Sequence, residues 1–289
     1  MTTVERGTIQ RYAGDVRLLS NAGWALMMQV SHPTVGAGVE QHSNYREDPW
    51  GRLIRTLDFV NLLVYGTPEQ SAAVGANVRN MHKRIKGVRR DGEHYHALEP
   101  EAFTWVHATL IEAIIVTHRK FVGPISAPAA ARMYAEWREL GAHLGIRDRD
   151  LPETYNEFRV YFDTMVEERL EDNETVQGVL ESLSKPVPPP LPQLAQSAFS
   201  AVSRLLVRTQ SLALTGTLPP VLRSRLGLRW TRAKEAELSA AAAASRALGP
   251  ALPKRLRNFG PTYLEWRAEE IERSGMGRPL ADARMPSAA

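Results

Sequence analysis

Residues 48–66, DPWGRLIRTLDFVNLLVYG, and 67–87, TPEQSAAVGANVRNMHKRIKG, decide how this chain folds. Each opens on a capping residue followed by proline, Asp48-Pro49 and Thr67-Pro68, and the second has Gln70 where a capping box closes. The pattern predicts two helices joined by a turn at Gly66. In the first, Arg52, Arg55, Thr56 and Phe59 recur at i, i+3, i+4 and i+7, so one inward face carries two guanidinium groups, a hydroxyl and an aromatic ring. In the second, Val74, Val78, Met81, His82 and Ile85 share a stripe, which puts an imidazole where an apolar side chain is expected. Polar groups on two otherwise apolar faces predict a pocket between these helices.

Before this pair, Leu18, Leu19, Ala22, Leu26, Met27 and Val30 have helical spacing, and the helix over 15–31 should end at or before His32 because Pro33 follows. The run SHPTVGAGVEQHS, 31–43, reads as a loop of small residues in which Gly36 and Gly38 permit close approach of a backbone or a flat ligand. After the pair, the polar stretch 88–100 carries His94 and His96, and Glu93 with His96 makes a single Glu-x-x-His. A di-iron bundle needs two such motifs on helices, so that chemistry is set aside. Residues 99–122 are apolar nearly all round and predict a central helix, on which His107 and His118, eleven residues apart, return to within about 20° of each other. Either reads equally as a core imidazole hydrogen-bonded to a carbonyl.

Amphipathic helices are predicted over 126–145, 151–170 and 174–183, and the five prolines of SKPVPPPLPQ then form a stiff connector. Further helical stretches fall around 195–208, 219–226, 231–248 and 263–273, and no run of alternating β-branched residues appears, so the class is all-α. The organisation expected is one helical domain over 8–184, a proline-rich connector over 185–193, further helices over 194–275 packed back on the main domain, and a disordered tail over 276–289. The packing follows from Leu212, Leu214, Leu222, Leu226, Tyr263 and Trp266, which are unfavourable to leave in water.

The chain has 289 residues, 43% of them hydrophobic, with a formal charge of +4 and no cysteine. Without cysteine there is no disulfide, thiolate zinc, iron–sulfur cluster or covalently attached haem. No apolar run approaches the roughly 18 residues of a membrane span, and MTTVERGTIQRY lacks the apolar core of a secretory signal, so the chain reads as cytoplasmic. Basic residues crowd between Arg223 and Arg257, but aromatics are scarce among them, and the stripe reads as a solvated face, not a nucleic-acid surface.

Taken in order, GDVRLL, LMMQVSHPTVGAGVEQHS, PWGRLIRT, VYG, the His82 segment, WVHATLIEA and GPIS resemble a bacterial domain family grouped with the latex-clearing rubber oxygenases and with a fungal prenyl-chain-cleaving oxygenase of mycophenolic acid biosynthesis. The similarity runs from about Tyr12 to about Tyr263. It implies a globin-like helical core holding haem b through one histidine, with dioxygen or peroxide as co-substrate. It also implies Arg52 and Thr56 as the catalytic pair beside the haem, Arg52 and Arg55 among the cofactor-binding residues, where pairing a haem propionate is the alternative role for either, and His82 as the iron ligand, with His107 as the alternative. Arg55 departs from relatives in which a lysine at this position binds iron, since a guanidinium stays protonated. The rubber oxygenases are secreted and have more histidines around the ligand, so the resemblance implies oxygen chemistry on an apolar small molecule rather than polyisoprene as the substrate. The residues fit it: without a thiolate, a neutral imidazole is the natural ligand, and the other ring nitrogen needs an acceptor to fix it. The competing reading is a cofactor-free helical protein that binds an apolar ligand, in which both histidines are ordinary core residues.

Overall fold

The computed structural model describes residues 7–185 and 207–273. Most of the proposed connector and the whole 276–289 tail lie outside them. The fold is all-α, and it is organised around α6, Pro100–Thr117, whose eleven buried residues face every direction. Proline at its first turn starts the helix without leaving an N–H unsatisfied, and its far end widens into a π-turn over His118–Val122. Packed round it are α2 (Ala22–Val30), α3 (Pro33–His42), α7 (Ala127–His143) and a 3-10 turn over Val16–Asn21. α8 (Tyr155–Glu168) packs on α7. Between them Trp24, Trp105, Tyr134, Trp137, Phe158 and Phe162 form a fully buried aromatic core. Each buried indole finds an acceptor, with Trp105 donating to the Met28 carbonyl at 2.9 Å and Trp24 to that of Thr217 at 3.1 Å.

The two opening helices form as their caps dictate. In α4 (Pro49–Tyr65) the Asp48 carboxylate accepts from the Gly51 N–H, and in α5 (Pro68–His82) Thr67 and Gln70 make a full capping box. They lie antiparallel and are each other's main partner. Gly75 is needed where α5 crosses α7, because a Cβ there would stand 2.3 Å from the His143 carbonyl oxygen.

Three local expectations are revised. The stretch 33–42 is not a loop but α3: Pro33 sits at its first turn and His32, held extended before a proline, is its cap position. Gly36 serves close helix packing there, since a Cβ would come within 2.6 Å of the Val30 carbonyl oxygen. The helix expected over 15–31 is divided at Asn21 into the 3-10 turn and α2. Residues 86–96 form a small antiparallel hairpin, β1 (Lys86–Val88) with β2 (His94–His96), paired Lys86 to His96.

Beyond α1 (Thr8–Tyr12), whose first N–H groups donate to Glu136, and α9 (Glu174–Ser184), the chain continues through α10 (207–217), α11 (Pro220–Arg225), α12 (Arg232–Leu248), α13 (Lys254–Arg257) and α14 (Phe259–Arg273). α11 contacts α8, α12 contacts the π-turn, and α14 lies along α4. Buried Leu222 and Leu226 anchor α11. α14 is held by polar contacts: the Tyr263 hydroxyl donates to Asp58 at 2.5 Å, and Arg267 donates to both Asp58 oxygens at 3.0 to 3.2 Å. Replacing Asp58 with alanine removes three hydrogen bonds from Arg267 and one from Tyr263, leaving the half-buried guanidinium its Glu270 contact at 3.2 Å, and should destabilise the docking of α14 by about 2 kcal/mol. Hydrogen exchange should quicken across 259–273 while α6 keeps its protection; unchanged exchange in α14 would assign its docking to apolar contacts alone.

Candidate functional site

Of the polar side chains singled out by the sequence, Arg52, Arg55 and Thr56 lie in the first half of α4 and His82 at the end of α5. Arg52 lies fourteen residues before Gly66 and His82 sixteen after it, so at about 1.5 Å per residue both stand some 21–24 Å from the turn, at one level. His82 is half-buried beside buried Val78, and its ring meets Phe103 of α6 edge to face at 5.6 Å. Its Nδ1 lies 2.8 Å from the Val78 carbonyl oxygen, which can only accept. Nδ1 therefore carries the proton in the neutral ring, and Nε2 keeps its lone pair. Burial lowers the pKa of His82, offset by that hydrogen bond, and so favours the neutral ring.

Arg52 and Arg55 differ in their surroundings. Arg55 donates to Asp48 at 3.1 Å and to Asn44 at 3.4 Å. Arg52 donates in a short contact to the Ser43 hydroxyl, and among the described residues no carboxylate pairs with it. Burial lowers its pKa and the neighbouring Arg55 charge adds to this, yet a guanidinium remains a cation. Thr56 was expected to point inward but is exposed, and its hydroxyl donates back to the Arg52 carbonyl at 2.9 Å. Four residues advance a helix by 400°, so Thr56 lies about 40° round from Arg52, enough to carry it over the edge of the buried face. Leu53, Ile54 and Leu57 of α4 and Met81 of α5 are half-buried among the described residues.

His107 stands elsewhere, between α6 and α7. Its ring stacks on Trp137 at 4.6 Å, its Nε2 donates to the Trp137 carbonyl at 2.9 Å, and the Trp137 indole donates back to the His107 carbonyl at 3.0 Å. Nδ1 is left as a buried lone pair with no partner. Gly141 packs so close that a Cβ would lie 3.0 Å from His107 Nε2. His118 donates to the Tyr12 carbonyl, and His96 has both nitrogens engaged, by the Leu98 N–H and the Lys83 carbonyl.

Sequence reasoning passed over two buried polar clusters. Glu112, 2% exposed on α6, lies 2.5 Å from Arg159 of α8, with its second oxygen unpartnered, and burial raises its pKa against the pull of that arginine. The signal was legible as the only carboxylate in the apolar run 102–117. His32 is buried at the α2–α3 corner with Nε2 3.2 Å from Glu101, which also holds Arg169; nothing in its loop-like sequence marked it. Two clefts of about 190 Å³ flank Arg119, one lined by Ile115, Ile125 and Tyr155 and the other by Val116, Gly216 and Thr217. They lie about 24 Å along α6 from the Phe103 contact with His82. Among the described residues no three His, Asp or Glu side chains cluster closely enough to hold a metal ion, and no helix is long and apolar enough to cross a membrane.

The described residues are those of an all-α protein in which His82 donates through Nδ1 to its own helix and Arg52 has no carboxylate partner. The chain is a member of the family described as ER-bound oxygenase mpaB/B'/Rubber oxygenase, catalytic domain, which matches residues 10–247 and makes the domain that of an oxygenase. Relatives include an uncharacterized protein of Mycobacterium bovis and one of Mycobacterium tuberculosis, each 24% identical over 216 residues, covering 73% of this chain and 80% of the relative. No solved structure matches the chain.

Because His107 is buried neutral, its pKa falls from the ordinary 6.5 to about 4. The unfolded chain takes up that proton first as pH drops, so the stabilisation is intact above 6.5 and is lost on the way down to 4. At about 1.4 kcal/mol per pH unit the loss reaches about 3 kcal/mol from this residue. Urea denaturation at pH 7 and pH 4.5 should show the decline, and a His107→Gln chain that still folds should show a shallower one. An equal slope in both would place the acid sensitivity in other groups.

Proposed function

We propose that this oxygenase uses haem b, ligated by His82, to oxidise an apolar small molecule with dioxygen or peroxide. The observation that carries the reading is the His82 hydrogen bond. Ligating histidines characteristically donate their second nitrogen to a carbonyl or carboxylate, which fixes the ring and raises its basicity. The Val78 carbonyl takes that role for His82, leaving Nε2 free. His107 fits the group less well: its Nε2 is used by Trp137, and its remaining nitrogen is sealed in the core.

The haem would supply the redox centre at which the oxygen co-substrate is activated. The chain's residues hold, orient and exclude. His82 stays neutral, Phe103 blocks its ring from rotating, and the half-buried α4 side chains offer apolar contact to a porphyrin or a substrate. Arg52 provides a fixed donor and a positive charge next to that surface. Arg55, occupied by Asp48 and Asn44, steadies the start of α4. Thr56, already donating to the Arg52 carbonyl, acts on the reaction through the position of the Arg52 backbone.

The purified protein, expressed with haem supply, should be coloured and show a Soret band. His82→Ala should lose the haem and regain its spectrum on addition of imidazole, while a folded His107→Ala chain keeps the haem. Loss of haem in the His107 variant alone would move the ligand to α6. A chain that stays colourless after haemin is added would support the cofactor-free binding protein instead.

A further inference from the structure

Between Glu237 and Glu265 the chain has no acidic residue, yet it carries Arg246, Lys254, Arg255 and Arg257. The end of α12, a 3-10 turn over Gly249–Ala251 and α13 form one outer stretch, 248–258, in which every residue is exposed except buried Gly249 and half-buried Leu252. Its base is fixed: Arg17 donates to the Ser245 carbonyl at 3.2 Å and packs against Gly249, and the Ser245 hydroxyl donates to the Phe121 carbonyl at 2.9 Å. Its outer end is turned by the Leu256 and Arg257 N–H groups, which donate to the Pro253 carbonyl at 3.0 and 3.1 Å. Leu248 is 66% exposed and Leu256 39%, and among the described residues no other leucine stands so far into solvent. The surrounding carboxylates leave the charge of the stretch in place. Glu235 and Glu237, paired with Lys120 and Arg208, lie at the far end of α12, and Asp15 is paired with Arg17. Glu265, Glu269 and Glu272 of α14 make no ion pair among the described residues, but the first six residues of that helix are uncharged, which sets Glu265 about 9 Å along it from α13 and the other two farther. The residues outside the described segments bring Glu5 and Asp282 against Arg6, Arg204, Arg278 and Arg284, and so add positive charge.

We infer that residues 248–258 are a docking surface for an anionic lipid bilayer, with Lys254, Arg255 and Arg257 against the headgroups and Leu248 and Leu256 dipping beneath them. Charge complementarity selects the partner, because an acid-free run of cations meets a surface of fixed negative charge, and each Lys or Arg held there strengthens binding about fivefold. The exposed leucines select a bilayer over a nucleic acid. An aliphatic side chain gains by leaving water for the acyl boundary, whereas single strands are held by stacking on aromatic rings, and none lies between Glu237 and Asn258. The contact is peripheral: the stretch is a turn and a short helix, and among the described residues no helix is long and apolar enough to cross a membrane. It lies just past residues 10–247, which match the oxygenase family, so the surface goes beyond the oxygenase reading and does not rest on it.

The test is co-sedimentation of the full chain with phosphatidylcholine vesicles and with vesicles in which phosphatidylglycerol replaces about a third of that lipid. The wild type should bind the anionic vesicles at least about tenfold more tightly than the neutral ones, and high salt should remove most of the difference. A triple variant, Lys254→Gln with Arg255→Gln and Arg257→Gln, should lose about a hundredfold in anionic binding, from three cations at about fivefold each. Leu248→Ser with Leu256→Ser should lose about tenfold and keep the salt dependence. Both variants should melt close to the wild type, since the side chains they replace stand in solvent. Equal binding of the wild type to both vesicles, or to neither, overturns the proposal. A leucine variant that binds anionic vesicles as the wild type does also overturns it, and binding of a single-stranded oligonucleotide that the charge variant alone has lost would then assign the patch to nucleic acid. A leucine variant that melts several degrees lower overturns it as well, because another part of the chain would then be covering these leucines.

Discussion

Two helices at the centre of the molecule hold each other by a reciprocal exchange: the Trp137 indole donates to the His107 carbonyl, and the His107 imidazole donates to the Trp137 carbonyl. The rings stack over the same contact, so α6 and α7 are fixed in both spacing and rotation. Buried polar groups impose this kind of register because any slip leaves several of them unsatisfied at once. With α6 fixed, the aromatic layer of α2, α7 and α8 has one way to close, and Phe103, four residues before His107, has one place to meet His82.

The open end of the α4–α5 hairpin is built differently. A smaller apolar cluster, Leu62, Leu63, Val74, Val78 and Leu144, seals the hairpin near its turn, and α14 covers α4 through Asp58. Toward Arg52 and His82 the packing thins to half-buried side chains. Here, among the described residues, Arg52 has a hydroxyl and no carboxylate as its partner. Stability and unmet polar demand are thus segregated, the first round α6 and the second at the hairpin's end, which is the division expected when a site is held by a rigid scaffold and left unsatisfied itself.

The same residue type takes opposite roles in the two regions. His107 and His82 both lie on stripes that read as core, and both donate to a main-chain carbonyl. In His82 the acceptor belongs to its own helix, one turn back, so the bond orients the ring without tying it to another element. In His107 the acceptor belongs to a neighbouring helix, and the bond becomes part of the packing.

The sequence by itself determined the elements whose signals are local. Asp48 and Thr67 with Gln70 cap where they were expected to, because a cap is a contact between residues three apart. The apolar surround of 99–122 likewise announced a central helix, and the absence of alternating strands announced the all-α class. Tertiary structure alone decided the rest. The run 33–42 has weak helical preference and became a helix because its glycine allows α2 and α9 to close on it, with Asn173 of the α9 cap donating to the Val30 carbonyl. Periodicity placed Arg52 and Thr56 on one face, but only the neighbours set where that face ends, leaving Thr56 in solvent. Periodicity could likewise place His82 and His107 inside, while which ring nitrogen each would commit depended on carbonyls that the fold delivers, one from the same helix and one from thirty residues away.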